Sequence, residues 1–368
     1  MRSSSFSLVS AILMLCVTVL TCSTATVGGR LKVGGNLTVA GLLAFGDSII
    51  DSGNNNHLKT LAKCNFPPYG KDFMGGVPTG RFSNGRIPTD LLVEALGLKQ
   101  YLPAYLDPKL KPQDLLTGVS FASGSTGFDP LTSKIASVIS LSDQLNMFKD
   151  YIEKLKGMVG EERKNFIISN SIFLVVAGSN DIVNTYFGTP FRRTEYTVDT
   201  YTNLMVRSAS SFVQELYALG ARRIGLFGAP PVGCLPFPRT TAGGPQRHCV
   251  EEYNDAAKLY NSKLSPVIDH LASQLPNSIV LYINIYDPLY DIIQNPQKYG
   301  FEIVDKGCCG TGLVEVSILC TKLDAVCPDD SKNVFWDSYH PTEKTYKIII
   351  NSLVKKYRNR VFGPKQHT

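Results

Sequence analysis

The chain has 368 residues, of which 43% are hydrophobic and 18% charged. That is enough apolar matter for a sizeable globular core in one large domain or two smaller ones. A net charge of +6 is spread along the sequence without a basic run, so a nucleic-acid partner is not expected.

The N-terminus, MRSSSFSLVSAILMLCVTVLTCSTA, carries Arg2, an apolar stretch from Phe6 to Cys22, and the small residues Ser23-Thr24-Ala25. This reads as a secretory signal peptide over residues 1–25. The stretch falls short of the about 20 apolar residues that span a bilayer, so a secreted, extracellular protein without stable membrane insertion is expected. Residues 26–40 form a short extension, where Asn36-Leu37-Thr38 is a glycosylation sequon. The main domain is expected over 41–360. Residues 361–368 form a tail whose end, PKQHT, is no retention signal.

Five apolar segments read as buried strands: Leu42–Phe45, Val119–Ala122, Phe173–Ala177, Ile224–Phe227 and Ile279–Ile285. Most are near-continuous, as in parallel strands covered on both faces. Helical spacing marks Leu145, Phe148, Ile152 and Leu155, then Met205, Ala209, Phe212, Leu216 and Leu219, then Tyr253, Ala257, Tyr260, Leu264, Val267 and Leu271. Tyr346, Ile349, Leu353 and Tyr357 mark a last helix, with Pro341 in its first turn. Strands alternating with helices predict an α/β fold. The expected architecture is one three-layer α/β/α domain, with a five-stranded, mainly parallel sheet and helices on both faces. Residues 54–118 read as long loops over one mouth of the sheet, with a short helix near Asp90–Leu96. Phe66, Tyr69, Phe73, Phe82, Tyr101 and Tyr105 there would either meet an apolar acyl group or pack the loops.

Removal of the signal leaves seven cysteines. In a secreted chain they imply disulfides. Cys308 and Cys309 are adjacent and would strain to pair with each other, so they are expected to reach Cys320 and Cys327. Cys234 and Cys249 would close a loop, leaving Cys64 as the odd thiol. A zinc site competes, but no histidine lies at ligand spacing within the cluster. Cys64 has no nearby base for a thiol enzyme.

Ligands of open parallel sheets bind beyond the carboxyl ends of the strands. The segments there are Gly46-Asp47-Ser48, Ser123-Gly124-Ser125 and Gly178-Ser179-Asn180-Asp181, joined by Asp337-Ser338-Tyr339-His340 before the last helix. Taken singly, each is an ordinary turn, cap or helix entry, and Asp51 and Asp181 could cap turns or pair with an arginine. Together they are what acyl transfer requires. Ser48 needs a base to take its proton. His340 can serve, with Asp337 three residues earlier to fix its tautomer. The oxyanion needs donors already in place, and the candidates are the Ser48 and Gly124 backbone N–H groups and the Asn180 side chain. No metal or organic cofactor is required.

The stretches FGDSIIDSGNNN, GVSFASGSTGF, VVAGSND and FWDSYHPTE, supported by FPPYG, PTGRFSNGR, FGAPPVGCLP and GCCGTG, resemble the plant-type GDSL esterase/lipase family of SGNH hydrolases. LKTLAKCNFPPYG and LPAYLDPKL look most like its extracellular lipase subgroup. The resemblance runs from about Leu42 to about Val354. It implies a secreted serine ester hydrolase with Ser48 as nucleophile, His340 as base, Asp337 as orienting acid, and Gly124 and Asn180 completing the oxyanion hole. Its partner would be a small-molecule or lipid ester, and a monomer is expected. Ile49 stands where the family often has Leu, Ser120 where it has Asn, and Ser125 where it has a second Gly. A binding protein that keeps this scaffold without turnover is the competing reading, and it has no need for all five residues. The chain contains no Gly-x-Ser-x-Gly elbow, His-Glu-x-x-His helix or Walker loop.

Overall fold

Residues 39–362 are described by a computed structural model. The expected signal peptide, Asn36 and most of the C-terminal tail lie outside them. Four parallel strands make the main sheet in the order β1 (Leu42–Gly46), β2 (Ile172–Val176), β3 (Arg223–Phe227) and β4 (Ile279–Ile283). Every residue of β1 is buried, and β2 and β3 are buried after their first residue. Strands covered on both faces have no solvated side to mark with polar residues, hence the continuous apolar runs.

The fifth expected strand, Val119–Ala122, is only partly formed. Residues 117–123 run parallel to β1 through Leu42 N–H to Thr117 O (3.2 Å), Ala44 N–H to Val119 O (3.2 Å), Phe121 N–H to Ala44 O (2.7 Å) and Ser123 N–H to Gly46 O (2.9 Å). The next bond is missing because the side chain of Gln144 takes the Gly46 N–H instead, at 2.7 Å. Only isolated bridges at Ser120 survive as strand pairing, so the sheet has four strands and a hydrogen-bonded fifth margin.

The connections are helical. They include α1 (Pro88–Ala95), α2 (Leu141–Asn170), α3 (Val198–Ala218), α4 (Glu251–Gln274), α5 (Tyr286–Gln294) and α6 (Glu343–Phe362). The stripes read from spacing face inward: Leu145, Phe148 and Leu155 of α2, Met205, Ala209, Phe212 and Leu216 of α3, and Ala257, Tyr260, Leu264 and Leu271 of α4 are buried. Helix α2 is broken at Gly160, whose φ of +77° is not helical. Helix α6 begins two residues later than Pro341 suggested. Pro341 is held extended by a bridge to Phe335, and the Thr342 hydroxyl accepts from the Thr345 N–H, so Thr342 takes the capping place. The helix also continues through residues 361 and 362, which were expected in the tail.

A small parallel pair, β5 (Ile303–Gly307) and β6 (Asn333–Phe335), was not anticipated. β6 has only three residues, and β5 is partly exposed and mixed in character, so neither the continuous nor the alternating pattern shows. Three disulfides join Cys234 to Cys249, Cys308 to Cys327 and Cys309 to Cys320, and Cys64 is a free, buried thiol. Beside the main core, a second cluster gathers Cys64, Tyr69, Phe82, Cys308, Cys309, Cys320 and Trp336.

Candidate active site

The first strand ends at Gly46, and this position needs glycine. Its φ is +131°, and an added Cβ would stand 1.8 Å from Val176 O. The chain can therefore swing away from the sheet as soon as β1 stops. Buried Gln144 fastens this corner from α2, with its Oε1 accepting from the Gly46 N–H and its Nε2 donating to Gly46 O at 2.9 Å. The Asp47 N–H returns to Val176 O at 2.9 Å, and its Oδ1 accepts from the Ile49 N–H at 3.0 Å. Ser48 is thereby presented at the strand end, 8% exposed. Among the described residues its N–H has no acceptor.

The partner arrives from the other end of the chain. Strand β6 leads to Trp336-Asp337-Ser338-Tyr339-His340, where the Trp336 N–H donates to His340 O at 2.7 Å. Gly307 of β5 lies against the Asp337 backbone so closely that a Cβ would come within 2.7 Å. Asp337 Oδ1 accepts the N–H groups of Tyr339 (2.8 Å) and His340 (2.7 Å). His340 Nδ1 lies 2.9 and 2.8 Å from the two Asp337 oxygens, and His340 Nε2 lies 2.8 Å from Ser48 Oγ. Hydroxyl, imidazole and carboxylate thus form one line, buried at each member. The Phe82 ring, 5.0 Å from the His340 ring, covers one flank.

Asn180 follows β2 and precedes the π-helical turn Asp181–Phe187. Its Nδ2 donates to Thr126 O at 3.0 Å, and its Oδ1 accepts from Asn184 Nδ2 at 3.0 Å. Asn184 Oδ1 in turn accepts from the Tyr339 hydroxyl at 2.8 Å. This chain orients the Asn180 amide with one N–H unspent. Asn184 and Tyr339 were not singled out from sequence, although Asn184 stands four residues from Asn180.

Gly124 differs from expectation. Its N–H donates to Asp51 Oδ2 at 2.9 Å rather than into the cleft, and a Cβ there would meet the Phe82 ring at 2.4 Å. The cause is Asp51 itself. It is fully buried and collects the N–H groups of Gly53, Asn54 and Gly124, because a buried carboxylate must be hydrogen-bonded. Asn54 reaches Ser120 O and Ala122 O, and Asn55 reaches Gly124 O, so the polar run after Ser48 clamps the 119–124 segment. Ser125, with φ of +70°, is the member of that block lining the cleft. Asp181 caps the next loop by accepting from the Phe128 and Asp129 N–H groups and the Thr132 hydroxyl. Burial lifts Asp47 to about 7 and Asp51 and Asp181 to about 6.

Ser48, Asn180 and His340 open onto a cleft of about 960 Å³. Its apolar wall includes Leu61, Ile135, Phe237, Val316, Ile318 and Leu319, and Lys59 and Lys63 are its charged residues. Of the six loop aromatics considered, only Phe82 lines it; Tyr69, Phe73 and Tyr105 are buried in loop packing. The loops are held by Arg81, fully engaged with Asp90 (2.7 and 2.8 Å) and with Leu102 O (2.9 Å). The wall residues Val314, Val316, Ser317, Ile318 and Leu319 lie inside the cysteine cluster, whose spacing had drawn notice only for disulfides. Among the described residues no group of three or more His, Cys, Asp or Glu could hold a metal ion, and no helix is long and apolar enough to cross a membrane.

Residues 42–353 match the family model described as GDSL-like Lipase/Acylhydrolase. The chain belongs to that family. Among curated GDSL relatives, it is 61% identical to GDSL esterase/lipase EXL3 of Arabidopsis thaliana over 87% of this chain and 88% of that protein. It is 55% identical to GDSL esterase/lipase At5g42170, covering 86% and 85%, and 53% identical to GDSL esterase/lipase EXL2, covering 86% and 87%, both of the same organism.

Proposed function

We propose that this GDSL chain hydrolyses carboxylic esters through an acyl-enzyme intermediate on Ser48. The carrying observation is the 2.8 Å contact between Ser48 Oγ and His340 Nε2, with Asp337 behind the ring. His340 takes the hydroxyl proton as Oγ adds to the ester carbonyl. Asp337 holds the proton on Nδ1 and balances the imidazolium. The negative oxygen of the tetrahedral intermediate is met by the Ser48 N–H and the free N–H of Asn180 Nδ2. The Gly124 N–H stays on Asp51, so two donors are proposed for the hole. His340 then returns the proton to the leaving alcohol, leaving the acyl group on Ser48. A water molecule, deprotonated by the same imidazole, releases the acid.

The cleft wall supports an aliphatic acyl chain as the group held beside Ser48, with a lipid ester favoured over an acetyl ester. Three disulfides suit an oxidising compartment, in keeping with secretion after cleavage near Ala25. The test is hydrolysis of p-nitrophenyl butyrate by the parent and by Ser48→Ala. The variant should lose at least ~10³-fold in rate, as removal of a triad member does. Equal rates would overturn the nucleophile assignment, and rates no higher than the uncatalysed one for both would favour a binding protein on this scaffold.

A further inference from the structure

We propose that Tyr69 is a positioning residue for this reaction, holding the second oxygen of Asp337 and tying it to the disulfide-closed loop that walls the cleft. The inference rests on the reading of Asp337 as the orienting acid. The Tyr69 hydroxyl lies 2.7 Å from Asp337 Oδ2 and 2.8 Å from the Ser317 backbone nitrogen. A phenol has one proton to give and lone pairs to receive. The Ser317 N–H can only donate, so the phenolic proton goes to the carboxylate. Tyr69 is 1% exposed and Asp337 is fully buried, so water does not stand in for either contact.

The role follows from what each carboxylate oxygen has. Oδ1 receives two backbone N–H groups, from Tyr339 and His340, besides His340 Nδ1. Oδ2 receives only His340 Nδ1 and Tyr69. Without the phenol, Oδ2 keeps a single partner, and the carboxylate can rotate about its bond to the backbone-anchored side. Burial and the neighbouring Asp337 charge push the phenol well above its ordinary range, so it stays a donor wherever the enzyme works.

The second contact reaches the substrate side. Ser317 belongs to the stretch that sends Val314, Val316, Ile318 and Leu319 to the cleft, and Cys309–Cys320 closes that stretch. Tyr69 packs edge-on to Trp336, with ring centroids 6.3 Å apart, inside the cluster formed with both local disulfides. One hydroxyl therefore joins the acid to the wall against which the acyl chain would lie.

Tyr69→Phe keeps the ring and removes only the hydroxyl. Ser48 sites would be counted with a fluorophosphonate, so that misfolded protein does not enter the rate, and kcat and KM measured with p-nitrophenyl butyrate. We expect kcat per labelled site to fall about 10- to 100-fold, the scale of a lost hydrogen bond to a charged group, with KM changed less than about twofold. In an Asp337→Asn background the same substitution should cost less than about twofold, because its effect passes through that carboxylate. An unchanged kcat, a change in KM alone, or an equal loss in both backgrounds would overturn the proposal. Failure of the acyl-enzyme reading is separately visible, since Ser48 would then not take the label.

Discussion

Gln144→Leu tests whether the nucleophile corner depends on a side chain standing in for a strand. Gln144 is fully buried and makes two bonds to one residue, accepting the Gly46 N–H at 2.7 Å and donating to Gly46 O at 2.9 Å. Leucine fills a similar volume but makes neither bond. Gly46 O would keep the Ser123 N–H at 2.9 Å, so the loss there is one net hydrogen bond of about 0.5–1.5 kcal/mol. The Gly46 N–H has no second acceptor and would be left buried and unpaired, at a cost of about 1–3 kcal/mol. The sum is about 1.5–4.5 kcal/mol. Trp336 is the only tryptophan and is fully buried in the second cluster, so its fluorescence reports unfolding in guanidinium with the disulfides intact. The midpoint should fall at constant slope. A loss below about 0.5 kcal/mol would show that another acceptor takes the Gly46 amide and that Gln144 is not what holds the corner.

Asn180→Ala should lower kcat by roughly 10²-fold with KM nearly unchanged, because in the proposed reaction its donor serves the transition state; steady-state kinetics on a soluble ester check this, and a pure KM effect would assign Asn180 to substrate binding. The raised acids of Asp47, Asp51 and Asp181 predict a pH trend. Desolvation keeps each protonated in the folded chain between their ordinary value of 3.8 and about 6 or 7, where the unfolded chain has already released the proton. Their contribution to stability is full below about pH 4 and is lost as pH rises to about 7, at about 1.4 kcal/mol per pH unit for each group. Asp47→Asn should flatten the slope by one proton across that window in urea titrations at several pH values. An unchanged slope would mean that Asp47 is ionised in the folded protein.

Much of this molecule was legible before folding because the signals are local. β1 is four apolar residues stopped by a glycine, and α3 carries a clean stripe; burial on both faces or on one face leaves those marks directly in the residue order. The meeting of Ser48, Asn180, Asp337 and His340 was legible for a different reason: strand ends in a parallel sheet share one edge, so residues that punctuate strands are gathered there. β5 and β6 left no such mark, because β5 is partly exposed and mixed in character and β6 has only three residues, and the 119–122 segment looked like a full strand because its side chains are buried even though its ladder is interrupted.

What residue order alone determined was the set of groups available to the proposed reaction, the alternation of strand and helix that carries them to one rim, and the set of cysteines that close the last loops, with the choice of partner for Cys308 and Cys309 left to the fold. Only the tertiary structure decided how those groups are held. Tyr69 looked like one of several loop aromatics and stands behind Asp337, Gln144 drew no notice in the sequence and completes β1, and the Gly124 amide is turned to Asp51. Each of these is a hydrogen bond between residues 73 or more positions apart. Such a bond depends on where two backbones come to rest, and neither partner's local sequence records it.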